Sequence, residues 1–257
     1  MRWKYFYWSI IALALVMSSI QATTQYRNGL YIKAVAEEVV RKANATDNRA
    51  RVIALRDYLH KHVSFQDAPM EDRPFLRASA AETLRSGKGY CGEVTRAFIR
   101  MADAVGIRAQ RINLYGRVNH VVAEVELRPG ERVIVDNQNP PLLHELEPLD
   151  HVILRPEYTD YSTLNLRRLR LSWLVSRIKL EIGPLTYWSE SPHALEASLW
   201  LAVALILLLG KFLFICARPL ARVLLIRRGW VKPADNIVLK VSEANRGVRP
   251  VVDQAGD

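Results

Sequence analysis

Ser86-Gly87-Lys88-Gly89-Tyr90-Cys91-Gly92-Glu93 reads as a turn that opens directly into a helix with a cysteine at its first position. Gly87 and Gly89 let the backbone turn sharply and let another segment approach closely. From there Val94, Ala97, Phe98, Met101, Ala102 and Val105 fall at the i, i+3, i+4, i+7 spacing of one buried helix face. Gly106 is the expected stop, where a left-handed cap costs least. Cys91 is thus expected at a helix N-terminus, where unpaired N–H groups and the helix dipole favour the thiolate, the reactive form of the side chain. A small buried core residue is the plainer reading of the same cysteine.

The next segments tip that balance. Arg108 to Leu114 alternates as a strand, as do Asn119 to Leu127 and, after the Pro129-Gly130 turn, Arg132 to Asp136. His120 stands at the beginning of the second strand and Asp136 at the end of the third. Antiparallel pairing across a short turn makes those two positions neighbours. Singly, each is an ordinary polar strand-end residue. With Cys91 they supply nucleophile, base and orienter, the parts of covalent acyl chemistry.

The arrangement resembles the transglutaminase-like fold of the papain-like cysteine enzymes. The resemblance covers Arg51 to Pro140 and includes Ala81-Glu82-Thr83-Leu84 before the cysteine turn and Gly106-Ile107-Arg108-Ala109 after the helix. Two departures are visible. Val121-Val122 follows the histidine where relatives often carry an aromatic, and Asn137 to Pro140 follows the aspartate where Pro or Thr is common. Neither removes a catalytic atom. The resemblance implies an α+β fold, with Cys91 packed against an antiparallel sheet and Cys91, His120 and Asp136 as the triad. It also implies a side-chain oxyanion donor. No upstream Trp or Asn suggests itself, and Tyr90 is the nearest guess.

Outward from this core, Tyr31 to Lys42 and Asn48 to Val63 carry helical spacing, with Asp47 or Asn48 as N-cap of the second. His60 and His62 read as solvent-facing. Gln66 to Arg77, with Pro69 and Pro74, reads as a loop placed to cover one side of the cleft. Past the core, Asn137 to Arg155 is Pro-rich, and its His144 and His151 read as ordinary loop residues. Leu164 to Leu180 sets Arg167, Arg168 and Arg170 among leucines. It fits a basic amphipathic helix on a membrane surface or an edge strand equally well.

Apolar content concentrates at two places. Met1-Arg2-Trp3-Lys4 precedes an uncharged run from Tyr5 to Ile20, a cleavable export signal or a signal anchor. The mediocre cleavage site at Ile20-Gln21-Ala22 favours the anchor. Ala194 to Ala217 is long enough to span a bilayer, and Leu201 to Leu209 is apolar without a break. Lys211 sits where its long chain can snorkel to the interface. Basic residues flank both runs on the same side (Arg2 and Lys4, then Arg218, Arg222, Arg227, Arg228 and Lys232), which places both termini in the cytoplasm and residues of about 23 to 193 outside it.

The domains expected are 1–22 (anchor), 23–160 (extracytoplasmic transglutaminase-like domain), 161–193 (basic juxtamembrane segment), 194–217 (second span) and 218–257 (flexible basic tail). Of the net charge of +10, residues 22–193 contribute 25 basic and 21 acidic side chains. The rest is membrane-flanking, so the high pI gives no support for a nucleic-acid partner.

Of the two cysteines, Cys216 ends the second span, which leaves Cys91 an unpaired thiol in an oxidising compartment, a liability unless used or buried. No Cys-x-x-Cys, His-Glu-x-x-His or phosphate-loop pattern is present, so neither a metal nor a cofactor is expected. These readings combine into a two-span protein of the inner, cytoplasmic membrane with a periplasmic or otherwise extracytoplasmic cysteine enzyme domain. Its partners would be a peptide or protein substrate, membrane lipid and envelope-complex subunits. The rival from another class is a non-catalytic papain-like scaffold in an envelope assembly.

Overall fold

The computed structural model describes residues 2–65, 78–162, 187–228, 230–231 and 239–240. The expected loop over Gln66 to Arg77, the ambiguous Leu164 to Leu180 segment and the end of the tail lie outside the described residues. The chain divides into two compact units. Leu15–Leu201 holds the α+β domain, and Met1–Ala14 with Ala202–Asp257 forms the other.

Within the larger unit the elements run α1 (Arg2–Lys42, whose first residues belong to the other unit), α2 (Asn48–His62), α3 (Ala80–Ser86) and α4 (Cys91–Ala104). There follow β1 (Ala109–Gly116), β2 (His120–Arg128), β3 (Glu131–Val135), α5 (Leu149–Ile153) and β4 (Tyr158–Ser162), and then the start of α6 (Pro192–Arg227). The four strands form one antiparallel sheet ordered β3-β2-β1-β4.

The start and stop signals act as their chemistry requires. Asp47 caps α2 by accepting from the Ala50 amide at 2.8 Å. Val105 caps α4, and Gly106 turns away with φ +78°. Register then sorts the strand residues. Arg111 lies opposite Ala123, and Ala123 opposite Val135, so these share one face of the sheet. That face, with Ala109, Val125, Leu127 and Val133, packs against Phe98, Met101 and Ala102 of α4, Leu55 and Leu59 of α2, and Ile32 and Ala36 of α1. The opposite face packs Ile112, Leu114, Val122 and Ile134 against Leu143, Val152 and Tyr158.

Phe98 is completely buried in the first cluster. Phe98→Ala should destabilise the domain by about 3–5 kcal/mol, the usual cost of emptying a buried aromatic site. Chemical denaturation of the solubilised protein, followed by Trp fluorescence, would measure it.

α1 is continuous over 41 residues, whereas the sequence suggested a span followed by a separate helix from Tyr31. The polar stretch between them does not break it, because its hydroxyls bond back to the preceding turn. Ser19 donates to Leu15 O (2.9 Å), Thr23 to Ser19 O (2.8 Å) and Thr24 to Ile20 O (3.0 Å). The far end of α1 is part of the domain core. Arg85 donates to Asn28 Oδ1 (3.2 Å) and stacks over Tyr31, 4.5 Å from the ring centroid.

α1 and α6 are both long and apolar enough to cross a membrane. In the smaller unit, Tyr7 donates to the Leu207 carbonyl, and the Lys211 ammonium lies over the Trp8 ring, 3.7 Å from its centroid. An aromatic face therefore lies against that charge. α6 also continues past the expected end of the span at 217, so Arg218, Arg222 and Arg227 are helical rather than part of a loose tail. Beyond it β5 (Trp230–Val231) pairs with β6 (Leu239–Lys240).

Candidate active site

The turn that presents Cys91 is fixed from several sides. α3 begins with a capping box, Ser79 accepting from Glu82 N and Glu82 from Ser79 N, and ends at Gly87 with φ +63°. A Cβ on Gly87 would stand 2.9 Å from the His62 carbonyl, so this position needs glycine for both conformation and space. Ser64 N donates to Gly87 O (2.9 Å) and Gly89 N to Ser64 O (3.2 Å), which ties the turn to the chain leaving α2. Tyr90 is the N-cap residue of α4, and its amide donates to Glu93 Oε2 at 3.0 Å. The Tyr90 ring meets Phe65 edge-on at 5.3 Å.

Cys91 is therefore the first helical residue, half-buried and not in a disulfide. Thr95, one turn on, donates to the Val121 carbonyl at 3.0 Å and holds the start of α4 beside the start of β2. That places His120 against the sulfur. The thiol and imidazole are hydrogen-bonded, and the amides of Val121 and Gly92 also bond the sulfur. His120 Nε2 lies 2.9 Å from Asp136 Oδ2, both side chains being almost fully buried. This leaves Nδ1 for the sulfur.

The Nε2–Oδ2 approach is off the line of a straight hydrogen bond. The same Oδ2 also accepts from Leu142 N (2.7 Å) and Leu143 N (3.0 Å), while Oδ1 accepts from Gln138 N (3.0 Å). The three residues singled out in the sequence thus form one series, Cys91 to His120 to Asp136.

The electrostatics follow from burial working against charge and partners working for it. Burial would raise the Cys91 thiol, but the bond to His120, its positive charge and the two amides outweigh it, so the thiol lies below its ordinary value. Burial would lower the His120 imidazole, but Asp136 and Cys91 raise it to about 9. Burial would likewise raise Asp136, yet His120 and the amides of Gln138 and Leu143 hold it below the usual carboxylate range. All three shifts act in the direction of thiolate beside imidazolium beside carboxylate.

His60 was read as solvent-facing, yet its Nε2 lies 3.0 Å from the Asp136 carbonyl, and its own carbonyl accepts from Asn139 Nδ2 at 2.7 Å. His62, His144 and His151 are exposed. The residue that sequence reasoning missed most clearly is Arg111. It shares parity with core-facing Ala109 and is only 5% exposed, and its Nη2 donates to the Gly92 carbonyl at 2.7 Å. An arginine on the apolar parity of a strand was the available signal.

A half-buried cysteine opening a helix thus stands beside a strand histidine and an aspartate on an α+β core. Residues 33–137 match the model of the transglutaminase-like superfamily, and the helices and antiparallel sheet they form have that fold. The match begins within α1, consistent with the packing of that helix into the core. Among solved structures the chain is similar to a candidate protease of Parabacteroides distasonis, at 17% identity and TM-score 0.38 over 50% of this chain and 27% of that one. It is similar also to a candidate cysteine protease of Cytophaga hutchinsonii, at 18% identity and TM-score 0.37 over 45% of this chain and 40% of the other. The chain thus spans less than half the length of either. No curated protein matches it.

Proposed function

We propose that this protein is a membrane-anchored transglutaminase-like cysteine enzyme that cleaves peptide or carboxamide bonds outside the cytoplasm. The observation that carries the reading is the contact series Cys91–His120–Asp136, with the sulfur at a helix start and the carboxylate tied by backbone amides. In this mechanism the Cys91 thiolate attacks the carbonyl carbon, and the carbonyl electrons move onto oxygen. The amide of Cys91, at the helix start, is placed to receive that oxyanion. Collapse of the tetrahedral species breaks the C–N bond, the His120 imidazolium protonates the departing amine, and a thioester remains on Cys91. His120 then takes a proton from the attacking water, and hydrolysis frees the acid. An amine in place of water would give a cross-link. Water is the default acceptor unless a site excludes it.

The test is the pH dependence of Cys91 alkylation, read at that residue by mass spectrometry. Because the thiol is lowered, the midpoint of the rate should lie below the ordinary thiol value of about 8.5. His120→Ala should shift the midpoint up toward that value. A scaffold that retained only the fold would show an ordinary thiol midpoint in both proteins, and that result would defeat the catalytic reading.

The membrane placement is part of the proposal. Two apolar helices and one-sided basic flanks support an inner-membrane protein with both ends cytoplasmic and the domain periplasmic. Reporter fusions near Asp160 and after Asp257 should report opposite compartments. Peptide or protein substrates, lipid and envelope-complex subunits are the partners such a placement implies.

A further inference from the structure

A buried ion network lies behind the nucleophile, and the acyl chemistry above makes no use of it. Glu190, 4% exposed, accepts from Arg96 Nε (3.1 Å) and Arg111 Nη2 (2.6 Å) through Oε2, while its Oε1 accepts from Arg111 Nε. Arg96 also donates to the Ala78 carbonyl at 2.7 Å, and Arg111 Nη2 to the Gly92 carbonyl at 2.7 Å. Burial opposes charge on Glu190, yet the two guanidiniums hold its carboxyl below the usual range.

Stability is a weak explanation for such a group. Taking charges out of water is costly, and well-packed apolar replacements of buried ionic triads are often as stable or more so. What an apolar cluster could not do is hold directional bonds between particular backbone points. Here the bonds run from the residue two positions before α6, through a strand, to the carbonyl of Gly92, the residue after Cys91. The root of α6 is itself anchored. Ser191 is buried, its carbonyl accepts from Leu195 N (3.0 Å), and His193 Nδ1 lies 2.7 Å from Gln21 Oε1.

We propose that Arg111 is a positioning residue for Cys91, and that Glu190 is the carboxylate by which the root of the second apolar helix keeps Arg111 in place. The nucleophile's geometry then depends on how that helix meets the domain. This rests on Cys91 being the nucleophile. Arg111 grips the carbonyl in the first turn of α4, which sets the orientation of the helix start. It also lies close enough for its charge and that of Cys91 to interact. The other titratable groups that interact with the sulfur are His120 and Tyr158, with Asp136 behind the imidazole.

The experiment uses full-length protein in lipid nanodiscs and follows iodoacetamide alkylation of Cys91 against pH, alongside a thermal melt. The triple variant Arg96→Met, Glu190→Leu, Arg111→Met removes the network without leaving a buried unpaired charge, so it should melt near the wild type. Its alkylation midpoint should lie about one unit higher, so that the rate at pH values well below the wild-type midpoint is about tenfold slower. A folded triple variant with the wild-type profile would overturn the proposal. Glu190→Asp keeps every charge but shortens the arm, and should slow alkylation in the same direction. A wild-type rate in that variant would remove the helix root from the mechanism. An ordinary thiol midpoint in the wild-type protein itself is a different result, which defeats the nucleophile assignment and this inference with it.

Discussion

Cys91→Ala should abolish covalent chemistry altogether while leaving a folded, membrane-inserted protein at wild-type abundance. The substitution removes only the sulfur from a half-buried site, and α4 keeps its other anchors, the Thr95 bond to Val121 O and the Arg111 bond to Gly92 O. No water or neighbouring group can replace the thiolate as nucleophile, so no thioester forms. Capture of the acyl-enzyme from native envelope extracts should succeed with the wild type and fail with the variant. Complementation of a deletion strain extends the test to the cell. Full rescue by well-expressed Cys91→Ala would show that the domain works as a scaffold.

Asp136→Asn should be the next largest loss, about 10⁴ in rate if the carboxylate matters here as it does in a serine-protease triad. The physical reason lies in what surrounds the carboxylate. An amide nitrogen in the Oδ2 place would oppose the Leu142 and Leu143 amides and the imidazole, so the amide oxygen stays there and the nitrogen opposes Gln138 N instead. The imidazole keeps a neighbour but loses the negative charge that helps hold its pKa up at about 9.

The pH–rate profile records this directly. In the wild type the rate should rise with ionisation of the lowered thiol and fall as the imidazolium, which must protonate the leaving amine, deprotonates near pH 9. Removing the carboxylate lowers the imidazole pKa, so the falling limb should move to lower pH in Asp136→Asn. A variant with a reduced rate but an unmoved falling limb would mean that Asp136 only supports the loop from Gln138 to Leu143.

Local pattern made the heart of the domain readable. The helical spacing from Val94 to Val105, bounded by the Gly-Lys-Gly turn and Gly106, gave α4 and its buried face, because a helix's apolar period and its caps are both written in adjacent residues. Strand parity placed His120 and Asp136 together, since a hairpin's pairing follows from its turn and its alternation.

What lay beyond sequence alone depended on contacts between distant segments or on competing local signals. β4 was not foreseen because Tyr158 to Ser162 becomes a strand by pairing with β1, not by a strong pattern of its own. The apolar run and the helical spacing from Tyr31 are separate local patterns, yet they join in one helix, where the hydroxyl side chains between them bond back to the preceding turn. The setting of Asp136 required knowing that the chain after Pro140 turns back to offer it two amides. Most of all, only the tertiary structure brings Glu190 to Arg111, 79 positions apart, because an ion pair buried between distant segments leaves no periodicity to read. The sequence by itself determined the helix that Cys91 opens and the strand positions of His120 and Asp136. Long-range packing decided how those groups are held, since hydrogen-bond geometry and desolvation are properties of the folded neighbourhood and not of chain order.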